Sequence, residues 1–281
     1  MKTSNHLLRR LTAALLAAVL ALSIALPVFA SDDGDTIYIN SVSDLLSLAK
    51  SCAYDQWSVG KTVILQKDLS LEGMLWEPIP SFSGQFKGNG HTISDLTITG
   101  QYSPAGLFGI VEEQGSIESL SVRGIVSVSD SADTTTGGIV GINHGTLINC
   151  QFTGVVTGDS EVGGIVGRNE SEGTIDHSTA RAIVTGKSST GGIAGYNLGA
   201  ITGCTNVGSI NTEYQEASLD TDGFTAKMVD QINNKMAAAD DDATNSVTNV
   251  ATDTGGIAGR SSGMILTSVN TGTVGYEHIG Y

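Results

Sequence analysis

Aromatic and basic residues are scarce in this 281-residue chain, and each shortage narrows the functions open to it. Aromatic residues make up 5% of the sequence, which weakens the case for a site that stacks sugar rings on side chains. Lys and Arg number 14 against 29 Asp and Glu, giving a formal net charge of −15. Because like charges repel, such a chain is poorly suited to nucleic acid or an anionic membrane surface. We therefore expect no nucleic-acid partner.

Motifs for nucleotide and metal binding are also missing. A phosphate loop needs a glycine five residues before the Gly of a Gly-Lys-Ser/Thr triplet. The two such triplets begin at Gly60 and Gly186, and Asp55 and Arg181 stand where that earlier glycine is required. The three cysteines form no CxxC pair and no histidine cluster accompanies them, so we expect no metal ion and no cofactor.

Residues 1–30 have the pattern of a signal peptide. A basic start containing Arg9 and Arg10 precedes an apolar run at residues 11–26, and Val-Phe-Ala before Ser31 fits a cleavage site. The run is short for a membrane span. We predict cleavage of the leader, a secreted or cell-surface location, and no membrane insertion of the remaining chain.

Glycine, in contrast, is abundant at 36 residues, and much of it recurs in an internal repeat. The segment at 137–150 reads GGIVGINHGTLINC, and related segments begin at residues 105, 163, 191 and 255. We interpret the recurring glycines and asparagines as turns that define the repeat: Gly137, Gly138, Gly141, Asn143, Gly163, Gly164, Gly167, Asn169, Gly191, Gly192, Gly195, Asn197, Gly255, Gly256 and Gly259. Three aliphatic columns keep register between them: Ile139, Ile165, Ile193 and Ile257; Leu147, Ile175, Ile201 and Ile265; Val156, Val184, Ile210 and Val274.

These columns predict an all-β fold, a right-handed parallel β-helix. No 3.6-residue periodicity spans the unit, which excludes helical repeats. Three short strands per unit, each with one face inward, make a three-sided coil, and the aliphatic columns then line its core. Glycine is expected where the backbone must adopt φ > 0 or where stacked backbones approach closely.

The repeats are expected to occupy residues 101–281, preceded at 31–100 by an N-terminal cap and irregular first coils. Ser41 and Asp44 form a capping-box pattern that predicts a helix at residues 42–52, placed to cover the open end of the solenoid. The first coils are expected to contain strands within residues 62–65, 76–79 and 84–98.

An insertion at residues 213–250 interrupts the array. The residues that recur there at helical spacing are Phe224, Met228, Val229, Ile232 and Met236. Two interpretations stay open, a helix packed on the outside of the solenoid and an arm that contacts a ligand. After Val274 the chain halts where another coil is due, so we expect the N-terminal portion of a longer surface protein or a truncated product.

Cys150 and Cys204 occupy one column two coils apart, a separation of about twice 4.8 Å. A disulfide needs Cα atoms within about 7 Å, so we predict two free, buried thiols. Cys52 lies in the cap without an obvious partner. Unpaired thiols in an exported chain fit an anaerobic bacterium better than an oxidising compartment.

The repeat, with its G-G-I-V/A-G-x-N-x-G-x-I pattern, resembles the GLUG motif of bacterial secreted and cell-surface β-helical proteins. The resemblance covers residues 105–274 apart from the insertion, although Ser261 replaces the asparagine in the last copy. Relatives of this kind range from adhesin-like proteins to immunoglobulin peptidases with an HExxH zinc site. None of the five histidines here lies in HExxH, so the peptidase activity is not implied.

Two functions remain. The first is a non-catalytic stalk or adhesion module whose partners are glycans or surface proteins of host or neighbouring cells. The alternative is a β-helix polysaccharide lyase or hydrolase, which needs clustered carboxylates and often a basic residue. Arg123 and Arg181 share a column but Thr153 separates them, and Asp176-His177 is an isolated pair. We therefore predict no catalytic residue.

Overall fold

The computed structural model describes residues 35–54, 56–128, 134–212 and 252–275, and these residues form a stack of β-strand coils. Strands pair in parallel from each coil to the next throughout this part of the chain. The parallel β-helix predicted from the repeats is therefore confirmed. Parallel pairing lets equivalent residues of successive coils lie directly above one another, which is what keeps the aliphatic columns in register.

The strands form four sheets that run along the solenoid. Sheet 1 contains β1 (Thr36–Ile39), β2 (Thr62–Leu65), β5 (Gln85–Lys87), β8 (Ser116–Glu118), β12 (Thr146–Ile148), β16 (Thr174–Asp176), β20 (Ala200–Thr202) and β25 (Met264–Leu266). Sheet 2 contains β3 (Leu69–Ser70), β6 (Thr92–Gly100), β9 (Ser121–Val128), β13 (Gln151–Thr157), β17 (Thr179–Thr185), β21 (Thr205–Asn206), β22 (Ser209–Ile210), β26 (Val269–Asn270) and β27 (Thr273–Val274). Sheet 3 contains β4 (Ile79–Phe82), β7 (Phe108–Val111), β11 (Val140–Asn143), β15 (Val166–Asn169), β19 (Ala194–Asn197) and β24 (Ala258–Ser261). Sheet 4 contains β10 (Thr135–Gly137), β14 (Glu161–Gly163), β18 (Ser188–Gly191) and β23 (Thr252–Gly255).

A repeat coil passes through four strands, so the predicted three-sided coil is wrong. One coil runs β10, β11, β12 and β13, and the unpredicted strand is the one in sheet 4. The buried residues of that sheet include Thr136, Val162 and Thr190, which pair from coil to coil. Because this column holds mostly threonine, with Val162 as its one aliphatic member among these strands, a search for aliphatic columns does not find the fourth side.

The N-terminal helix α1 (Val42–Ser51) covers the first coil. The N-cap Ser41 hydroxyl accepts from the Asp44 N–H at 3.2 Å, and the Asp44 carboxylate accepts from the N–H of Asn40, the residue before the N-cap, at 2.9 Å. Leu45 and Leu48 are buried, and the helix packs against β1 and β4. The helix predicted at 42–52 is confirmed but ends at Ser51. No helix among the described residues has the length and apolar character needed to cross a membrane.

The first coils differ in detail from the prediction. The strand at 62–65 is confirmed, whereas the expected strand at 76–79 lies instead at β4. Trp76 precedes β4 as a buried side chain, and its indole N–H donates to the Leu107 carbonyl at 3.2 Å. The stretch at 84–98 divides into β5 and β6, because Asn89 (φ 53°) and Gly90 (φ 77°) turn the chain between them.

Strand pairing places the predicted columns in register. Leu147 pairs with Ile117 and Ile175, and Val156 pairs with Val126 and Val184. The column residues of the inner coils are fully buried: Ile139, Ile165, Ile193, Leu147, Ile175, Ile201, Val156, Val184 and Ile210.

The expectation of a buried ladder is wrong for the last described coil. Ile265 is 39% exposed, and Ile257 and Val274 are only partly buried. The reason is that the described strands of this coil, β23 to β27, pair with the coil before them and with no described coil after them. The predicted signal peptide at 1–30 and the predicted helix of the insertion at 213–250 lie outside the described residues.

Candidate functional site

The repeat glycines lie where two sheets meet backbone to backbone. A Cβ added to Gly163 would lie 2.7 Å from the Gly195 nitrogen, and one added to Gly191 would lie 2.5 Å from the Gly259 nitrogen. Gly167 faces sheet 4 in the same way, since a Cβ on it would lie 2.6 Å from the Thr136 nitrogen. At these three glycines, sheets 3 and 4 therefore approach too closely to leave room for a side chain.

This geometry corrects the interpretation of these residues as turns. Only the second glycine of each pair lies at a bend, and the others lie within strands, as do the asparagines: Gly137, Gly141, Asn143, Gly163, Gly167, Asn169, Gly191, Gly195, Asn197, Gly255 and Gly259. None of the repeat-pair glycines is among the positive-φ residues of the described chain. Of the two reasons expected for glycine, close approach of stacked backbones is the one that applies here.

Left-handed backbone instead recurs at the corner between sheets 1 and 2. The corner is formed in successive coils by five residues with φ between 46° and 62°: Ser119, Asn149, His177, Gly203 and Thr267. Only one of the five is glycine, so the corner leaves no glycine signal in the sequence. His177 lies there beside Gly203, and its Nδ1 is 2.8 Å from Asp176.

The asparagines of the repeat form a buried ladder inside the solenoid. The side-chain amide of Asn143 donates to Asn169 Oδ1 at 2.8 Å, and Asn169 donates to Asn197 Oδ1 at 2.8 Å. Asn197 then donates to the Ser261 hydroxyl at 3.1 Å. The three asparagines are fully buried, and each also donates to a backbone carbonyl at the following turn. Satisfied in this way, the amides stabilise the stack instead of costing free energy.

The cysteine column serves the same structural purpose. As predicted, Cys150 and Cys204 are free and buried, as is Cys52. The backbone N–H of Cys150 donates to the Ser178 hydroxyl at 3.1 Å, and the Ser178 N–H donates to Cys204 Sγ at 3.4 Å. Burial raises the pKa of Cys150 to about 12 and that of Cys204 to about 11. Thiols that stay protonated at neutral pH are poor nucleophiles and poor metal ligands.

The outer face of sheet 3 carries a stack of charged and aromatic side chains. Strand pairing places Arg168 next to Tyr196 and Tyr196 next to Arg260 in three successive coils. The guanidinium carbons of Arg168 and Arg260 lie 5.1 and 5.4 Å from the centre of the Tyr196 ring, within cation–π range. We refer to Arg168, Tyr196 and Arg260 as the Arg–Tyr–Arg column.

Two carboxylates hold one end of this column. Arg168 Nε lies 2.6 Å from Glu170, and its Nη1 lies 2.8 Å from Glu161. Burial acts to lower the pKa of Arg168, but the two glutamates outweigh it, so the pKa of the guanidinium is raised. Side-chain exposures of 31%, 18% and 21% for Arg168, Glu161 and Glu170 make this a partly shielded ion-pair network.

The Arg–Tyr–Arg column was not predicted from the sequence, although the repeat alignment contains its signal. Its members are the residues immediately before the repeat asparagine or its Ser261 replacement, and the same position in an earlier coil holds Ile142. Comparison of that one position between copies shows Arg, Tyr and Arg in succession. A search for columns that keep one kind of side chain does not detect a position where the kind of side chain changes from coil to coil.

The groups considered for catalysis do not converge. Thr153 pairs with Arg123 on one side and Arg181 on the other, so the two arginines are separated as expected. Asp159 lies 2.6 Å from Lys187 Nζ. Among the described residues, no group of three or more His, Cys, Asp or Glu side chains is placed to hold a metal ion.

Comparison with known proteins places the repeat in a described family. Residues 158–185 match the family model described as the GLUG motif, so the chain contains a GLUG repeat and resembles the proteins built from it. The matched residues span the turn before β14 through the end of β17, which is one full coil.

Two relatives share sequence with longer stretches of the chain. Halomucin of Haloquadratum walsbyi is 32% identical over 155 residues, covering 50% of this chain and 2% of halomucin. A protein of Evansella cellulosilytica named "Putative Gly-rich membrane protein" is 29% identical over 137 residues, covering 35% of this chain and 16% of its own length. The chain thus spans a small fraction of either relative. Halomucin is archaeal, so such sequences are not confined to bacteria.

One solved structure is similar at the level of the chain trace. It is described as a "putative immunoglobulin A1 protease from Bacteroides ovatus", with a TM-score of 0.41 and 16% sequence identity. The similarity covers 62% of this chain and 67% of that one.

Proposed function

We propose that the protein is an exported surface protein whose β-helix acts as a structural stalk or binding module and catalyses no reaction. The observation that carries this proposal is the unbroken register of sheets 1 and 3, in which each inner coil is bonded to both neighbours. Such a stack holds its outer faces in a fixed, repeating arrangement. Repeat proteins commonly use extended faces of this kind to bind partners.

The distribution of charge supports a non-catalytic role. Glycoside-cleaving sites place two carboxyl groups on either side of the scissile bond, with one kept free to donate a proton. The carboxylates brought together beside sheets 3 and 4, Glu161 and Glu170, are both committed to ion pairs with Arg168. Neither is therefore left free for that task. Glycans and surface proteins of neighbouring cells remain the proposed partners.

Export is tested by expressing the full chain with a C-terminal epitope tag in a Gram-positive and in a Gram-negative host. We expect the tag in the medium or accessible to protease on intact cells, with a mature N-terminus at Ser31. A variant lacking residues 2–30 is the matched control and should stay inside the cell. Retention of the full chain in the cytoplasm would overturn the proposal.

The absence of catalysis is tested separately. The purified exported protein is incubated with pectin, alginate, hyaluronan and a neutral glucan, with and without Ca²⁺, and new reducing or unsaturated ends are measured. We expect none above the rate without protein. Release of new ends from any of these polymers would favour the lyase or hydrolase alternative and would direct attention to Asp176, Arg123 and Arg181.

A further inference from the structure

The two arginines of the Arg–Tyr–Arg column differ in their ion pairing. At one end Arg168 is fully engaged by Glu161 and Glu170, at 2.8 and 2.6 Å. At the other end Arg260 is exposed and lies against the Tyr196 ring. Among the described residues no carboxylate pairs with Arg260. The charge of Arg168 is therefore more than balanced by its two carboxylates, while the charge of Arg260 has no carboxylate partner among the described residues.

The Tyr196 ring supports Arg260 from one side. The ring lies between two guanidinium groups, and Arg168 is anchored by its ion pairs, so the ring is supported from the side opposite Arg260. A guanidinium lying against an aromatic face keeps its N–H groups around its edge, where they remain free to donate. An arginine ordered before binding loses less conformational entropy when a ligand arrives.

The chemistry of such a group is recognition of planar oxyanions. A guanidinium fork matches a carboxylate with two parallel N–H···O bonds, which are among the stronger hydrogen bonds in proteins. The chain as a whole carries a formal charge of −15, which repels an acidic ligand. Attraction for such a ligand must therefore arise locally, and a single well-placed arginine should dominate it.

The neighbourhood of the column favours a linear polymer as the ligand. The same outward position holds Ile110 and Ile142 in the two coils before Arg168. These residues follow one another at the spacing of parallel strands, about 4.8 Å, and form a straight track along the solenoid. A polysaccharide can lie along such a track, with the apolar faces of its sugar rings on the isoleucines and its acid groups toward Arg260.

We propose that the Arg–Tyr–Arg column binds the carboxylate groups of an acidic polysaccharide, with Arg260 as the contacting residue and Tyr196 and Arg168 as positioning residues. This ligand assignment rests on the proposed function as a binding module. It is independent of where the protein is located, so failure of binding and failure of export are separate results.

The test measures binding of the full purified chain to polygalacturonate by affinity electrophoresis and biolayer interferometry. Arg260→Ala should weaken binding by at least about tenfold, the loss expected for a charge-assisted bidentate contact. Arg260→Lys should recover part of it, because lysine keeps the charge but lacks the fork. Arg181→Ala is the matched control, since it removes the same charge from an exposed position on sheet 2 and should leave binding within about twofold of the parent.

Each other outcome overturns the assignment. Absence of binding to polygalacturonate by the parent chain removes the ligand class. An equal loss in Arg181→Ala and Arg260→Ala would mean that total charge, not the column, governs binding. Binding of a neutral glucan with equal strength would exclude carboxylate recognition, and tighter binding of poly-glutamate would indicate an acidic peptide partner. Thermal unfolding of each variant, expected at the parent temperature, separates lost binding from lost structure.

Discussion

The first coils and the repeat coils build the same solenoid in different ways. The first coils fill their interior with large side chains, and at their junction with the repeat copy that begins at residue 105, Phe82 and Phe86 pack with Phe108 of that copy, with ring centroids 5.4 to 6.3 Å apart. In the repeat coils the same columns shrink. The column that begins Phe82 and Val111 continues as asparagines, and the one that holds Phe108 continues as Val140, Val166 and Ala194.

The difference shows that a β-helix can be stabilised in two ways. One is to bury large side chains, and the other is to combine hydrogen bonds between side chains with close backbone contact. An aromatic core gains free energy from buried area and tolerates imperfect repetition. An amide ladder between glycine-lined sheets requires that every coil be nearly the same, since each donor must meet the next acceptor. The repeat coils therefore have a regular sequence because hydrogen bonds and close backbone contacts stabilise them. The first coils can have an irregular sequence because large buried side chains stabilise them.

The largest expected effect is in the aromatic region. Phe108→Ala should lower the free energy of unfolding by about 3–5 kcal/mol, because the trio around it cannot collapse fully into the space left. Phe108→Leu, the control, should cost about 1.5 kcal/mol or less because most of the volume is kept. Urea unfolding followed by circular dichroism measures both. Similar losses of unfolding free energy for the two variants would mean that the buried volume of the side chain does not stabilise this region.

Adding one methyl group in the repeat region should cost nearly as much. Gly163→Ala places a Cβ 2.7 Å from the backbone of Gly195, which cannot move without displacing two sheets, so we expect a loss of about 3 kcal/mol. Gly73→Ala is the control, because Gly73 has φ 75° but no atom within 4 Å of an added Cβ. It should cost about 1–2 kcal/mol from the backbone conformation alone. Equal losses at the two positions, measured by the same urea unfolding, would show that crowding between sheets is unimportant.

Breaking the buried ladder should have an intermediate effect. Asn169→Val leaves the Asn197 oxygen without its side-chain donor, and we expect a loss of about 2 kcal/mol in the free energy of unfolding. Asn270→Val breaks a bond of the same kind, the 2.7 Å contact from Asn206, at an exposed position. Asn206 is buried, but its side-chain nitrogen keeps a 3.4 Å bond to the Gly208 carbonyl and Asn270 itself is exposed, so the loss in urea unfolding should stay below about 1 kcal/mol there. An equal cost at both sites would contradict a special role for burial.

The last effect is absent at neutral pH and appears only at alkaline pH. Burial raises the pKa of Cys150 from 9.0 to about 12, so between these values the unfolded chain releases a proton that the folded chain keeps. Stability from this group is complete below pH 9 and should fall by up to about 1.4 kcal/mol per pH unit above it. Ser178 already occupies this column in the next coil, so Cys150→Ser introduces a residue type that the column accepts. This variant should remove the contribution of Cys150 to the loss of stability above pH 9. An unchanged slope in urea titrations from about pH 8 to 11 would contradict the assignment.

The sequence was sufficient for the repeat and its register, because aliphatic residues that stack directly must recur at fixed intervals. It was insufficient for the fourth side of the coil, where Thr136 and Val162 share a column without a common character. It also misled on the glycines, because a glycine required by a turn and one required by a neighbouring backbone look alike in sequence. Only the positions of the surrounding atoms distinguish them.

For the candidate site, the limit was of a different kind. Arg168, Tyr196 and Arg260 are far apart in sequence, and only the alignment of repeats makes them neighbours. The insertion between the last two copies hides that proximity further. Ion pairing of Arg168 with Glu161 depends on the approach of sheet 4 to sheet 3, which the predicted three-sided coil did not include.

The asparagine ladder has a direction, and this bears on how such a molecule grows in evolution. Every amide in it donates toward the later coil, from Asn143 to Asn169 to Asn197, and the series closes on a serine hydroxyl that accepts the last bond. A gene duplication that inserts one more coil brings one new donor and one new acceptor together. Length can therefore change by whole units without leaving an unmatched group, provided that the residue following each asparagine in the ladder can accept its bond.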